Sequence, residues 1–133
     1  MPHLSFEYSA SIEKAGDPAK LAEALRDAMA ATDVFPVGGI RVRGHRAAVV
    51  AVAGRPADDA AVGFLDMTLR MGAGRDAATR KRTAEAVYAA AEAHLKPRLG
   101  ALPFALSLEV REIDPDFSIK RLNTLHDLEE ARR

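Results

Sequence analysis

Leu4, Phe6 and Tyr8 alternate with His3, Ser5 and Glu7, and this period of two predicts a strand over about residues 2–9. From about 18 to 31 the period becomes helical, with Leu21, Ala24, Leu25, Ala28 and Met29 on one apolar stripe, Asp17 placed to cap it and Pro18 suited to its first turn. FPVGG breaks the helix. The run IRVRGHRAAVVAVAG, residues 40–54, returns to alternation and predicts a long second strand. After the breaker-rich GRPADD, the segment AAVGFLDMTLR at 60–70 reads as a third strand. MGAGRD follows as a glycine-containing loop in which Asp76 is a candidate cap. The next helix presents Ala84, Val87, Tyr88, Ala91 and Leu95 on one side, and Pro97 marks its end. In PFALSLEVREI, Phe104, Leu106, Leu108 and Val110 alternate with Ala105, Ser107, Glu109 and Arg111, a fourth strand. Beyond DPDF, the tail SIKRLNTLHDLEEARR predicts a short C-terminal helix, polar at its end.

The order is β-α-β followed by β-α-β, an α+β chain with no defensible internal sequence repeat. Right-handed crossovers in each unit put both helices on one face of a four-stranded sheet. The opposite face is left to be covered, and self-association is the simplest way to cover it. A chain of 133 residues, 48% hydrophobic, fits one domain over 1–133 with a substantial core.

Charge narrows the partners. Nineteen basic residues balance nineteen acidic ones, so no global field draws the chain to nucleic acid or to an anionic membrane. The absence of cysteine excludes disulfides, thiolate nucleophiles and cysteine zinc sites. MPHLSFEYSASIEK has neither a basic n-region nor a sustained apolar run, and no stretch approaches eighteen apolar residues. A cytoplasmic location without signal peptide or membrane span is the expectation.

Three features carry candidate chemistry. Arg41, Arg43 and His45 project from one face of a strand, and arginine's planar fork of donors matches carboxylates. Fourteen of the nineteen basic residues are arginine, so a compositional bias accounts for the pair equally well. MGAGRDAA has the form G-x-G-x-x-A between strand and helix, but no acid follows at the spacing a dinucleotide fold needs, and the chain is too short for one. The helix N-terminus reached through Gly72 and Gly74, with Arg75 adjacent, is either an anion site or an ordinary turn. His3, His45, His94 and His126 lack metal-ligand spacing, and Ser5, Ser9 and Ser107 lack a nucleophile-elbow context. The third feature is Pro2. Trimming of Met1 would leave it a free secondary amine, which burial or nearby cations would hold neutral near pH 7 and so fit for moving protons at carbon. Strand initiation alone also suits a proline there.

Taken together, the opening MPH with its alternating strand, FPVGGIRVRGH, MTLRMGAGRDAATR and the closing LSLEVREIDPDFSIKRLNTLH strongly resemble the 5-carboxymethyl-2-hydroxymuconate isomerase family of the tautomerase superfamily. The resemblance spans nearly the whole chain and rests on the order and spacing of these blocks. It implies a homotrimer of β-α-β-β-α-β subunits that isomerises an unsaturated hydroxy di- or tricarboxylate between enol and keto forms, without cofactor or metal, in bacterial breakdown of homoprotocatechuate. It further implies that Pro2 is the general acid/base and that Arg41 and Arg75 hold substrate carboxylates, with Arg43 and His45 as further substrate-binding candidates. Pro2 can serve only once Met1 is gone, because its nitrogen is otherwise an amide. The alanine-rich stretch AAVVAVAGRPADDAAVG is slightly longer than the resemblance calls for, and an altered pocket wall, with the precise substrate left open, is the expectation. Two alternatives stay open: a tautomerase of another substrate, such as phenylpyruvate or 2-hydroxymuconate, and a non-catalytic trimer that binds small acids.

Overall fold

The computed structural model describes residues 1–130. β1 (His3–Ser9) runs into a short helix α1 (Glu13–Gly16), then α2 (Pro18–Ala31) and β2 (Arg41–Ala47); β3 (Gly63–Gly72), α3 (Ala77–Leu99) and β4 (Phe104–Ile113) repeat the pattern, and α4 (Leu125–Glu130) follows. The sheet order is β2-β1-β3-β4, parallel within each unit and antiparallel where β1 meets β3.

The capping expected from sequence is present. The Asp17 carboxylate accepts the Lys20 N–H at 3.3 Å ahead of Pro18, and Asp76 accepts the Thr79 N–H at 2.8 Å. Leu21, Leu25 and Met29 of α2 and Val87, Ala91 and Leu95 of α3 bury their stripes against Leu4, Phe6 and Tyr8 of β1 and Leu65, Met67, Leu69 and Met71 of β3, forming one continuous cluster. Each large side chain fully buried there contributes about 1.5–3 kcal/mol. Gly44 of β2 faces this layer because the Phe6 ring lies over it; a Cβ there would stand 2.4 Å from the ring. No helix among the described residues is long and apolar enough to cross a membrane.

The opposite sheet face is polar. Register places His3 between Arg41 and Arg70, Ser5 between Arg43 and Thr68, and Glu7 between His45 and Asp66. β4 adds Ser107, Glu109 and Arg111 to that face.

Four expected boundaries are corrected. The second strand stops at Ala47 rather than running through 54, because its neighbour β1 ends at Ser9, opposite Ala47, and leaves nothing to pair with. The chain instead forms a loop closed by Asp58, whose carboxylate accepts the Val50 N–H at 3.1 Å and whose own N–H bonds the Val50 carbonyl at 2.9 Å. The third strand begins at Gly63 and reaches Gly72, shifted forward from 60–70. Helix α3 continues through Pro97 to Leu99, because the lost N–H deprives only the carbonyl of exposed Ala93 in the last turn, while Leu99 gains burial. In the tail, residues 118–124 are non-helical, the helix is confined to Leu125–Glu130, and 131–133 lie outside the described residues.

Candidate active site

Pro2 is buried at the start of β1. Its carbonyl accepts the Arg41 N–H at 3.1 Å, and its ring lies against Gly39, where a Cβ would stand 3.5 Å from Cδ. FPVGG makes this approach possible: Pro36 leads into a 3-10 turn, Val37–Gly39, that returns the chain beside Pro2. Met1 covers this corner. Its Sδ receives Nη2 of Arg41 at 3.6 Å and Nδ2 of Asn123 at 3.7 Å.

Two cavities adjoin at this corner and share Met1, Gly72, Ala73 and Lys120 in their walls. One, of about 550 Å³, contains Pro2, Phe35, Arg75 and, from the C-terminal segment, Asn123 and His126. The other, of about 500 Å³, contains His3, Arg70, Ile113 and Ser118. Among the described residues lining either cavity there is no aspartate or glutamate, whereas Arg70, Arg75 and Lys120 are all present. In a chain with zero net charge this is a local concentration of positive potential.

The arginines are held by backbone carbonyls and not by acids. Arg75 donates to the Gly72 carbonyl at 3.1 Å and the Val34 carbonyl at 3.0 Å, and lies 5.2 Å from the centroid of the Phe35 ring. Its loop turns at Gly74, whose φ of 107° suits glycine alone. Arg41 donates to the carbonyls of Gly38 at 2.9 Å and Ile40 at 3.1 Å. Neither guanidinium is neutralised by these bonds, so each keeps its charge for an anion. The N-terminus of α3 is already occupied by the Asp76 carboxylate.

Of the residues singled out by sequence, the fold gathers Pro2, Arg41 and Arg75 around Met1. Arg43 is exposed, bonded to Nδ1 of His3 at 3.2 Å, and lines a third groove of about 410 Å³ with Arg26, Glu23 and Arg41 itself, which reaches the corner through its contact with Met1 and borders neither of the two cavities. His45 is exposed opposite Glu7, four residues beyond Arg41 on β2 and so about 13 Å further along the strand. The other polar candidates serve the fold: His94 is buried with Nε2 2.8 Å from the Gly16 carbonyl, Ser9 accepts the Phe64 N–H at 3.1 Å, and Ser107 bonds Asp66 at 2.6 Å.

Electrostatics favour a neutral amine here. The Met1 amine is held below its ordinary pKa first by burial, then by the adjacent Lys120 ammonium, with Arg75 and Arg41 adding repulsion. His3 is likewise lowered, by burial and then by Arg70 and Arg43.

The family model described as 5-carboxymethyl-2-hydroxymuconate isomerase matches residues 2–128. The chain belongs to this isomerase family. It is 33% identical over 128 residues to the Escherichia coli 5-carboxymethyl-2-hydroxymuconate Delta-isomerase, covering 96% of this chain and 98% of that one. A 5-carboxymethyl-2-hydroxymuconate isomerase from Deinococcus radiodurans R1 superimposes with a TM-score of 0.84 at 30% identity, over 96% of this chain and 93% of the other. The macrophage migration inhibitory factor of Trichinella spiralis shares the fold alone, with a TM-score of 0.63 at 10% identity over 91% of this chain and 97% of that one. The protein is an isomerase.

Sequence reasoning missed several cavity residues of this isomerase. Lys120, Asn123 and His126 lie in a tail that reads as a polar helix, and only its return to the turn at Val37–Gly39 brings them to Pro2. Arg70 was hidden because the pairing of β1 with β3 sets it opposite His3, a register no local pattern reveals. The one available signal was alternation: Asp66, Thr68 and Arg70 fall on the polar side of their strand.

Proposed function

We propose that this isomerase interconverts the enol and keto forms of 5-carboxymethyl-2-hydroxymuconate, or of a close 2-hydroxy-dienoate, with the amine of Pro2 as general acid/base after Met1 has been removed. The observation that carries this reading is the pair of acid-free, cation-lined cavities that meet at Met1 beside buried Pro2. Such a site suits a substrate with several carboxylates, and Met1 occupies the place where the substrate would approach the nitrogen.

In the proposed reaction, neutral Pro2 takes the proton of the dienol hydroxyl. The C–O bond gains double-bond character, electron density shifts along the conjugated chain, and the protonated amine returns a proton to its distal carbon. One O–H bond is broken and one C–H bond formed, with no net change in redox state. Arg41 and Arg75 hold carboxylates and offset charge developing on the oxygen, as preorganised donors do. Burial and the cations Lys120, Arg75 and Arg41 lower the pKa of the Met1 amine at this corner, and the same surroundings favour the neutral form of a Pro2 amine, the form that accepts a proton.

A homotrimer is part of the proposal. Phe117, Ile119 and Leu122 are 88%, 78% and 85% exposed in a single chain, more apolar surface than one short segment normally leaves in water. The two outer strands, β2 and β4, each have an unpaired edge. A closed ring of copies covers both features without an open-ended contact. Sedimentation at micromolar concentration is expected to give three chains per particle, and Leu122→Glu to shift it toward monomer; a stable wild-type monomer would refute the assembly.

The activity is tested by following loss of the dienol's ultraviolet absorbance with protein whose N-terminus has been defined by mass. Turnover by protein that begins at Pro2 is expected. Folded protein of that mass that binds the substrate without consuming it would instead identify a non-catalytic acid-binding protein.

A further inference from the structure

The isomerase reading leaves one carboxylate without a partner. Its substrate carries three, one of them on the carboxymethyl arm, while Arg41 and Arg75 account for two. Resting on that reading, we infer that the cavity lined by His3, Arg70, Ile113, Ser118 and Lys120 is the subsite for the carboxymethyl arm, with Arg70 as the residue that selects for its carboxylate.

Four observations carry the assignment. This cavity and the one containing Pro2 and Arg75 share Met1, Gly72, Ala73 and Lys120 in their walls, so loss of Met1 removes part of what separates them, next to Pro2. A single ligand can then react at Pro2 while extending into both arms. The Lys120 ammonium borders both cavities, whereas Arg70 borders only the second, which makes Arg70 the residue able to distinguish the arm from the rest of the ligand. Around Arg70 the open sheet face offers His3 on one side and Arg111 on the other, and Arg111 is already paired with Glu109. His3, whose imidazole is neutral or cationic but never negative here, is not an anionic partner either. Finally, Ile113 supplies apolar wall for a methylene, and Ser118 a hydroxyl for a carboxylate oxygen. Arg43 and Arg41 line the same groove and border neither cavity, but Arg41 reaches Met1 whereas Arg43 is engaged by His3.

The test compares two substrates that differ only in the arm: 5-carboxymethyl-2-hydroxymuconate and 2-hydroxymuconate. Arg70→Ala should lower the ratio of their kcat/KM values roughly ten- to a hundredfold, the range for one lost hydrogen bond to a charged group. Most of that loss should appear in KM for the larger substrate, and Arg70→Lys should recover part of it. Arg70 is exposed in the single chain, so the variant is expected to fold, and sedimentation reports whether it assembles as the wild type does. An unchanged substrate ratio, or an Arg70→Ala protein that loses its assembly, would overturn the subsite. Wild-type protein inactive on both substrates would instead remove the isomerase reading on which the subsite rests.

Discussion

Nη2 of Arg41 donates to Sδ of Met1 across 3.6 Å, so the guanidinium points at the residue whose removal would expose the Pro2 nitrogen. Its other terminal nitrogen is fixed by the carbonyls of Gly38 and Ile40, which leaves this direction set in advance. Arg41→Ala is expected to lose about 3 kcal/mol of transition-state stabilisation, as for a missing preorganised donor, with little change in fold. Steady-state kinetics on the dienol and far-ultraviolet circular dichroism check the two parts separately; wild-type kcat/KM in the variant would remove Arg41 from the site.

Arg75 is anchored differently, and a conservative exchange should expose this. The guanidinium reaches two carbonyls, of Gly72 and Val34, while lying over Phe35, a planar arrangement that an ammonium cannot reproduce. Arg75→Lys should therefore fall well short of wild-type kcat/KM although charge is preserved. Full activity in the lysine variant would mean that charge alone matters at this position.

The pH profile tests the role of Lys120. Only the neutral amine accepts a proton, so the rate should rise with pH through the amine's pKa. Burial and the cations Lys120, Arg75 and Arg41 lower the pKa of the Met1 amine, and Pro2 shares a cavity with Lys120 and Arg75, so its own amine is expected to feel the same repulsion. Removing one cation must raise that pKa. Lys120→Met is therefore expected to move the midpoint of the rising limb to higher pH, measured as kcat/KM against pH; an unmoved midpoint would separate Lys120 from the amine.

A stability prediction concerns the packing that sets the site. Gly44→Ala would bring a methyl group within 2.4 Å of the Phe6 ring, which is held in the core and cannot swing away without disturbing Leu4 and Met67 beside it. Overpacking of this kind costs about 1–3 kcal/mol. Thermal or urea unfolding of the variant should show that loss, and an unchanged midpoint would mean that β2 can shift outward freely.

Much of the framework was legible because local rules decided it. Asp17-Pro18 and Asp76 start helices by chemistry visible in a few letters, and Leu4, Phe6 and Tyr8 declare a buried strand face by alternation. The overlong second strand shows where such rules stop: residues 48–54 alternate acceptably, but a strand needs a partner, and β1 ends at Ser9. The candidate site divides in the same way. Pro2, Arg41 and Arg75 stand out by position and motif, whereas Arg70, Lys120, Asn123 and His126 join the cavities only through sheet register and the return of the C-terminal segment. Arg43 and His45 share the face of Arg41, yet of the three only Arg41 contacts Met1.

The central claim is that Pro2 works through a free secondary amine, and the most direct measurement compares two forms of the same chain, one beginning at Pro2 and one retaining Met1. Both are verified by mass, by unfolding midpoint and by sedimentation before their rates of dienol loss are measured. Turnover is predicted for the form beginning at Pro2 and none above background for the Met1 form, whose Pro2 nitrogen is an amide and whose Met1 lines both cavities. Equal rates in the two forms would contradict it.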